Sequence, residues 1–326
     1  MPVHERRAPD GLAIRAAWLH YAAGMTQSEV GSRLGVSAVK AHRLITAANR
    51  SGAIRVSIEG DLAECVALEE GLARRFGLDY CEVVPDLHEA GLPLRALGVA
   101  GGAFLEREIG RLSGSGAVGT IGIGNGRTLA ASVAAMSGRR AEGVRFVSLL
   151  GGLTRNYAHN PHDVMHHLAS RTGAEAFAMP VPFFANSPAD RDVLLAQRGV
   201  SEVRSLAARA DLMVVGIGTV EPDAWLVDSG LVGPDEIAEV RREGGQGEML
   251  GHFFDARGRA VETALSARTI GPDLALLDGR RVVAVAGGEA KVNAIRAVLT
   301  SGRLSGLVTD ERTAMTLAPD ADGAER

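Results

Sequence analysis

A glycine-rich stretch at residues 117–130, AVGTIGIGNGRTLA, contains the residue types that most readily hold an oxygen-rich ligand. A short apolar run leads into Gly122, Gly124 and Gly126, and a helical pattern begins at Arg127. Buried parallel strands are short apolar runs, and a helix that follows such a turn presents unpaired N–H groups and a partial positive charge. The stretch therefore predicts a loop that binds the oxygens of a small molecule; the alternative is a glycine turn that serves only packing.

Other known binding patterns fit this sequence poorly. The loop lacks the third glycine and the later acidic residue of the dinucleotide fingerprint, and it lacks the lysine of a P-loop. The segment HDVMH at residues 162–166 resembles the zinc-binding H-E-x-x-H helix. However, aspartate is shorter than the required glutamate, and no clear third ligand follows. We therefore predict no cofactor and no metal site.

The composition is that of an ordinary soluble α/β protein. The 326 residues are 46% apolar and 23% charged, with only 4% aromatic residues and 41 glycines, so the core must consist mainly of small and aliphatic side chains. Cys65 and Cys81 form neither a disulfide framework nor a metal pattern and are expected to be buried hydrophobic residues. No apolar run is long enough to span a membrane, which favours a cytoplasmic location.

The charge is divided unevenly along the chain. Residues 1–60 hold eight Lys or Arg and four acidic residues, a net charge of +4, whereas the whole chain carries −4, which leaves −8 for the remainder. A basic segment attached to an acidic body indicates that only the basic segment contacts a polyanion.

The basic segment has the signals of a helix-turn-helix. A first helix stops at Gly24, and Thr26 can cap a second helix through a capping box with Glu29. Gly35 then permits a tight turn, and Ser37 can cap a third helix that runs to about residue 49. On the first helix we expect an inner face formed by Leu12, Trp18, Leu19 and Ala22. Residues 53–58 alternate as a strand of a wing should.

The third helix presents one apolar face and one polar face. Spacings of three, four and seven residues place these side chains toward the core: Ala41, Leu44, Ile45 and Ala48. The outward side chains are Ala38, Lys40, His42 and Arg43. We predict that seven residues contact the bases and backbone of DNA: Thr26, Gln27, Arg33, Ser37, Lys40, His42 and Arg43. The alternative is a solvated basic helix in any small helical bundle.

Beyond residue 60, strand-like runs alternate with helical stretches of 10 to 15 residues. The runs lie at residues 81–85, 117–123, 144–149, 176–179, 211–217, 282–286 and 307–309. This alternation predicts a Rossmann-like parallel sheet covered by helices. Ligands of such sheets bind beyond the carboxyl ends of the strands. The glycines at 122–126, 151–152, 216–218 and 287–288 should therefore converge on one crevice.

Five segments resemble the SorC family of sugar-responsive bacterial transcriptional regulators. TQSEVGSRLGVSAVKAHRLITAANRSGAIRVSI at residues 26–58 is similar to the DNA-binding domain of that family. GNGRT, AARADLMVVGIG, GEMLGHFFD and GLVTDERTA are similar to its effector-binding domain and follow in the expected order. The resemblance extends from about residue 12 to residue 314. It implies a winged helix-turn-helix domain at residues 1–58, followed at 59–320 by an α/β domain similar to ribose-5-phosphate isomerase and glucosamine-6-phosphate deaminase.

The same resemblance implies where a sugar would bind. It assigns the sugar or phosphate oxygens to Gly124, Gly126, Arg127 and Thr128, and it adds the acidic Glu248 and the later Lys291. A carboxylate can accept two hydroxyls, and a lysine can contact a phosphate or an anomeric oxygen. Alternatively, Lys291 is a surface residue, Glu248 a loop charge and Arg127 an ion-pair partner. The complete predicted effector site is Gly122, Gly124, Asn125, Gly126, Arg127, Thr128, Gly151, Gly152, Gly218, Glu248 and Lys291.

The sequence also departs from the family pattern. Asn125 occupies a position where many relatives carry tryptophan, and His252 one where arginine is common. No basic residue immediately precedes Gly151. A less cationic crevice predicts an unphosphorylated or singly phosphorylated sugar or polyol rather than a bisphosphate.

Together these features predict a DNA-binding regulator of a carbohydrate or polyol catabolic operon. Because a palindromic operator needs two DNA-binding domains at a fixed separation, we expect a homodimer or homotetramer. The alternative is a sugar-phosphate isomerase or deaminase with Glu221 or Asp223 as general base, although the isomerase pattern D-G-A-D-E is absent. A third possibility is a DNA-binding protein whose body serves only oligomerisation.

Overall fold

The protein was analysed as a computed structural model, which describes residues 11–21, 23–50, 62–114, 116–138, 140–153 and 164–318. The chain divides into two compact units, Met1–Gly60 and Asp61–Arg326, two residues beyond the boundary expected from the sequence. The predicted wing strand at 53–58 lies outside the described residues. None of the described helices is long and apolar enough to cross a membrane.

The first unit contains three helices: α1 (Gly11–Tyr21), α2 (Gln27–Leu34) and α3 (Ala38–Arg50). The capping box forms as predicted, because the Thr26 hydroxyl accepts from the Glu29 N–H and the Glu29 carboxylate accepts from the Thr26 N–H. Gly35 takes a φ of +67°, the left-handed conformation that ends α2 at the tight turn. The Ser37 hydroxyl accepts the N–H of Lys40 and so caps α3.

The inner face of α1 differs from the prediction. Leu12 and Trp18, expected to face the core, are 37% and 62% exposed, whereas Leu19 is buried as predicted. Ala22, the fourth residue of the predicted face, lies outside the described residues. The buried side chains of α1 are instead Ala13, Ala16, Ala17 and Leu19. This face of small side chains packs against α3 and contributes to a core with Val30, Ala41 and Ile45. Hydrophobicity alone misplaced the face, because close packing of two short helices favours alanine over bulky residues at the contact.

The second unit alternates strands with helices. Its helices are α4 (Leu62–Phe76), α5 (Leu94–Ser113), α6 (Arg127–Ala135), α7 (Val164–Thr172), α8 (Pro188–Ala196), α9 (Arg198–Ala207), α10 (Trp225–Asp228), α11 (Pro234–Arg242), α12 (Val292–Thr300) and α13 (Glu311–Leu317). Its strands are β1 (Tyr80–Val84), β2 (Gly119–Ile123), β3 (Val144–Leu153), β4 (Glu175–Pro182), β5 (Leu212–Val215), β6 (Gly218–Thr219), β7 (Gly245–Met249), β8 (His252–Asp255), β9 (Val282–Val285) and β10 (Gly306–Asp310). Short 3₁₀ helices lie at Ser266–Arg268, Leu274–Leu276 and Glu289–Lys291.

Seven strands form one sheet in the order β1-β10-β9-β5-β2-β3-β4, and every neighbouring pair is parallel. This confirms the predicted parallel α/β architecture. The strand expected to end at Pro180 continues to Pro182. Proline is tolerated there because β4 is an edge strand, on which a missing N–H removes no bond from the sheet interior.

A second sheet of three strands, β6-β7-β8, is antiparallel and was not predicted. One of its strands has only two residues, and its hairpin turn is Leu250-Gly251 instead of a typical Asn-Gly turn. Both features remove the local sequence signals of a hairpin. This small sheet carries Glu248 on β7 and therefore matters for the site.

Close glycine contacts hold α5 against α6. A Cβ at Gly101 would lie 2.2 Å from the Ser132 hydroxyl oxygen, and one at Gly102 would lie 2.8 Å from the Ser132 carbonyl oxygen. Side chains at these positions would force the helices apart. The absence of side chains at Gly101 and Gly102 therefore fixes α6, and with it the glycine-rich loop at its start.

Candidate functional site

A crevice lies where β2 and β5 end and the small antiparallel sheet begins. Its empty space is about 580 Å³, part of which is open solvent. Its lining residues are Gly124, Asn125, Gly126, Arg127, Thr128, Leu129, Leu150, Phe183, Gly216, Ile217, Gly218, Trp225, Glu248, Leu250 and Lys291.

One side of the crevice is the N-terminus of α6. The Gly124 N–H donates to the Val214 carbonyl at 2.8 Å, which ties the loop to β5, and the Gly126 N–H donates to the Asn125 side chain at 2.8 Å. Gly126 has a φ of +126°, a conformation that side chains disfavour. The first-turn N–H groups that follow, at Arg127 and Thr128, have no partner within an α-helix and can bind ligand oxygens.

Glu248 is the acidic group of the crevice and is only 8% exposed. Its Oε1 accepts the Gly251 N–H at 2.6 Å, and it stands opposite Gly218, where a Cβ would lie 2.6 Å from Oε2. Burial raises the pKa of Glu248 to about 7, although the Gly251 hydrogen bond and the charge of Lys291 act to lower it. Near neutral pH the carboxyl group can therefore either accept or donate a hydrogen bond to a hydroxyl.

Lys291 faces the same space from the end of a 3₁₀ helix. Its Nζ donates to the Ile217 carbonyl at 2.7 Å. Burial of the ammonium group and the nearby charge of Arg127 lower the pKa of Lys291 to about 8, against the opposing effect of Glu248. The residue as a whole is partly exposed, so solvent reaches its stem while the charged end lies inside. A hydroxyl or phosphate oxygen could take the place of the Ile217 carbonyl.

Part of the crevice lining is apolar. Five lining residues belong to or pack against one hydrophobic cluster: Leu150, Phe183, Ile217, Trp225 and Leu250. Sequence reasoning assigned none of them to the site, because they come from different segments and are of residue types that usually belong to the core. The crevice lining thus combines hydrogen-bonding groups, here called the polar wall (Arg127, Thr128, Glu248 and Lys291), with apolar side chains. This combination is expected for binding a polyhydroxylated carbon chain.

The structure gathers eight of the eleven predicted effector residues in this lining: Gly124, Asn125, Gly126, Arg127, Thr128, Gly218, Glu248 and Lys291. The alternative that Glu248 is a loop charge is wrong, because Glu248 is buried on β7. Lys291 is partly exposed, with its Nζ bonded to the Ile217 carbonyl. Gly152 lines an adjoining cavity of about 790 Å³ that shares Gly124, Asn125 and Leu150 with the crevice.

Three predicted glycine positions serve packing instead. A Cβ at Gly122 would lie 2.6 Å from a methyl group of Leu149, and one at Gly151 would lie 2.1 Å from the Pro182 carbonyl oxygen. A Cβ at Gly287 would lie 2.1 Å from a carboxylate oxygen of Asp310. These glycines lie where backbone or side chains approach too closely for a Cβ, so the convergence of all glycine-rich strand ends on one crevice is wrong.

Residues considered for other chemistry also lie elsewhere. Glu221 forms an ion pair with Arg241 at 3.1 Å, and neither Glu221 nor Asp223 lines the crevice. The Nε2–H of His252 donates to the Pro272 carbonyl oxygen at 2.8 Å, and His252 is outside the lining. His162 lies outside the described residues, within which no group of three His, Cys, Asp or Glu could hold a metal.

On the first unit, the predicted DNA-contacting side chains form an exposed surface. They are Thr26, Gln27, Arg33, Ser37, Lys40, His42 and Arg43. The hydroxyls of Thr26 and Ser37 already act as helix caps. Val39, which sequence reasoning did not select, is 64% exposed between these residues on α3.

A basic helix-turn-helix joined to an α/β unit with a small-molecule crevice defines a ligand-responsive transcriptional regulator. Comparisons with known proteins agree. Residues 61–318 match the family model described as a "Putative sugar-binding domain". The erythritol catabolism regulatory protein EryD of Brucella abortus is 58% identical over 316 residues, covering 97% of this chain and 99% of that protein. The transcriptional regulator LsrR of Klebsiella pneumoniae is 33% identical over 314 residues, covering 94% and 92%.

The fold has solved counterparts as well. The crystal structure of the full-length sorbitol operon regulator SorC from Klebsiella pneumoniae superposes with a TM-score of 0.69 at 25% identity, covering 94% of this chain and 98% of that one. The chain belongs to the SorC family of transcriptional regulators with a sugar-binding domain. It is a regulator, and the alternative of an isomerase or deaminase is wrong.

Proposed function

We propose that this protein controls a polyol catabolic operon and that its effector is a short polyol of the erythritol type. The relative EryD is named for erythritol catabolism, and it is similar to this chain over nearly its full length. The observation that carries the proposal is the crevice itself, which Glu248, Lys291 and the N-terminus of α6 line together with apolar side chains.

Each polar group has a part in holding hydroxyls. The Glu248 carboxyl group can bind two adjacent hydroxyls, whereas Lys291 and the first-turn N–H groups of α6 can donate to hydroxyl oxygens. The side-chain cations in the lining are Arg127 and Lys291. Two cations beside a carboxylate suit an uncharged or singly phosphorylated ligand better than a bisphosphate.

We assign operator binding to residues 1–58. Lys40, His42 and Arg43 would contact base edges or phosphates, and Thr26, Gln27, Arg33 and Ser37 would lie near the DNA backbone. Residues 59–320 would bind the effector and hold a homodimer or homotetramer. Two DNA-binding units at a fixed separation match the two halves of a palindrome. The effector can change operator occupancy only if it binds one arrangement of the subunits more tightly than the other.

Operator and effector can be tested together with the full-length protein. Duplexes selected from a random pool by the protein would be labelled, and binding would be followed by fluorescence anisotropy with added erythritol, sorbitol, a polyol monophosphate or a sugar bisphosphate. We expect erythritol or its monophosphate to shift the operator affinity. A response restricted to the bisphosphate would contradict the proposal, as would failure to select any sequence.

A further inference from the structure

The turn that carries Leu250 has an unusual backbone conformation. Leu250 and Gly251 connect β7 to β8 with φ values of +55° and +80°. A two-residue hairpin turn with two positive φ angles favours Asn-Gly, because most side chains are strained there. Among the described residues, the other non-glycine residue with a positive φ is His88. A bulky leucine rarely adopts this conformation.

The surrounding residues hold the turn in place. The Gly251 N–H donates to Glu248 Oε1 at 2.6 Å, and the Thr269 hydroxyl donates to the Gly251 carbonyl at 2.9 Å. A Cβ at Gly271 would lie 2.7 Å from the Leu250 carbonyl oxygen. Contacts on several sides thus maintain a conformation that the leucine itself disfavours, as is typical of functional sites.

The strained conformation places the Leu250 side chain in the crevice. Leu250 is 3% exposed and lines the space together with Leu150 and Phe183, while the carboxyl group two residues earlier in the chain belongs to the polar wall. Asparagine would relieve the strain and would offer a hydrogen-bond donor at this point. The side chain present instead offers only methyl groups, which would leave a charged ligand group beside it unpaired.

We propose that Leu250 is a specificity-determining residue of the effector crevice. Its side chain packs against the carbon chain of the bound polyol, so that the site accepts an uncharged end next to Leu250 and rejects a phosphate there. This inference rests on the proposed polyol function. In this proposal the Leu250 side chain distinguishes an unphosphorylated effector from its phosphate ester. The polar wall alone could bind either ligand.

The test compares Leu250→Asn and Leu250→Gly with the native protein. Both substitutions suit a positive φ, so they remove the apolar contact without adding backbone strain. Affinities of the full-length protein for erythritol and for erythritol phosphate would be measured by titration calorimetry. We expect the native protein to prefer erythritol by about tenfold or more, and each variant to lose most of that preference.

His88→Gly is the matched control. It relieves the same kind of strain at an exposed residue outside the crevice, so it should leave the preference unchanged. Thermal melting and operator binding without effector would show that the Leu250 variants fold. The inference would be overturned if the Leu250 variants bound both ligands more weakly by the same factor or otherwise kept the native preference for erythritol. It would also be overturned if the native protein preferred erythritol phosphate. Binding of neither ligand to the native protein would instead refute the proposed polyol function, and the inference with it.

Discussion

The protein places its functional cations in two opposite environments. Lys40 and Arg43 extend from α3 into solvent, whereas the ammonium group of Lys291 is buried and bonded to the Ile217 carbonyl. An exposed cation retains its charge and can pair with any phosphate of a long polyanion. A buried cation is destabilised until a ligand completes its surroundings, which makes it selective. An exposed cation therefore suits binding to DNA, and a buried cation suits recognition of one small molecule.

The largest effect is expected at the buried cation. Lys291→Met should weaken effector binding by about 100-fold or more, because it removes a charged hydrogen-bond donor that is itself largely buried. The same change should leave the melting temperature of the ligand-free protein equal or higher, since below pH 8 the native protein holds a buried charge. Calorimetry and thermal melting would check both. A large loss of stability with unchanged effector affinity would contradict the role given to the buried ammonium group. Lys40→Met, which removes an exposed cation, is the control.

The buried carboxyl group should make stability depend on pH. Because the pKa of Glu248 is raised to about 7 in the folded protein, the unfolded chain loses this proton at lower pH than the folded chain does. Stability contributed by Glu248 is present below about pH 4.5 and is lost as the pH rises toward 7. Glu248→Gln should therefore gain about 3 kcal/mol of stability relative to the native protein as the pH rises from 4.5 to 7.

Denaturant unfolding at several pH values would measure that difference. The matched control is Glu202→Gln, which removes a carboxylate that is 66% exposed on α9. Parallel pH profiles for Glu248→Gln and the native protein would show that burial does not perturb Glu248.

The exposed cation should affect DNA binding alone. Arg43→Ala is expected to weaken operator binding by about tenfold and, if Arg43 contacts a phosphate, to reduce the salt dependence by about one counterion. Effector affinity should not change. Anisotropy titrations at several salt concentrations would measure the effect, with Arg198→Ala as control because Arg198 is 93% exposed on the other unit. Equal losses of operator and effector affinity would contradict the assignment of DNA binding to the first unit and effector binding to the second.

The smallest effect is expected at the start of α6. Thr128→Val removes a hydroxyl from the crevice lining without changing the side-chain shape, and effector affinity should fall by about fivefold. Operator affinity without effector should be unchanged. Thr309→Val is the control, since the Thr309 hydroxyl is buried without a hydrogen-bond partner in the described part of the chain. That control should bind effector normally and melt at a higher temperature. An unchanged effector affinity in Thr128→Val would show that the Thr128 hydroxyl does not bind the effector.

Much of this protein is encoded by local sequence signals. Thr26, Glu29 and Gly35 define the ends of α2 because capping and the left-handed turn involve residues within a few positions of one another. The parallel sheet follows from apolar runs separated by helical stretches. The resemblance to the SorC family added Glu248 and Lys291, which spacing alone would not have paired.

Only the tertiary structure decided which side chains share the crevice. Phe183, Trp225 and Leu250 come from distant segments, and their side chains resemble ordinary core residues until the fold brings them into the crevice that Glu248 and Lys291 line. Likewise, Gly122 and Gly124 are equivalent in sequence, but one packs on Leu149 and the other faces the ligand space. Caps and strands depend on neighbours along the chain, whereas a binding site depends on distances between residues that sequence separation does not reveal.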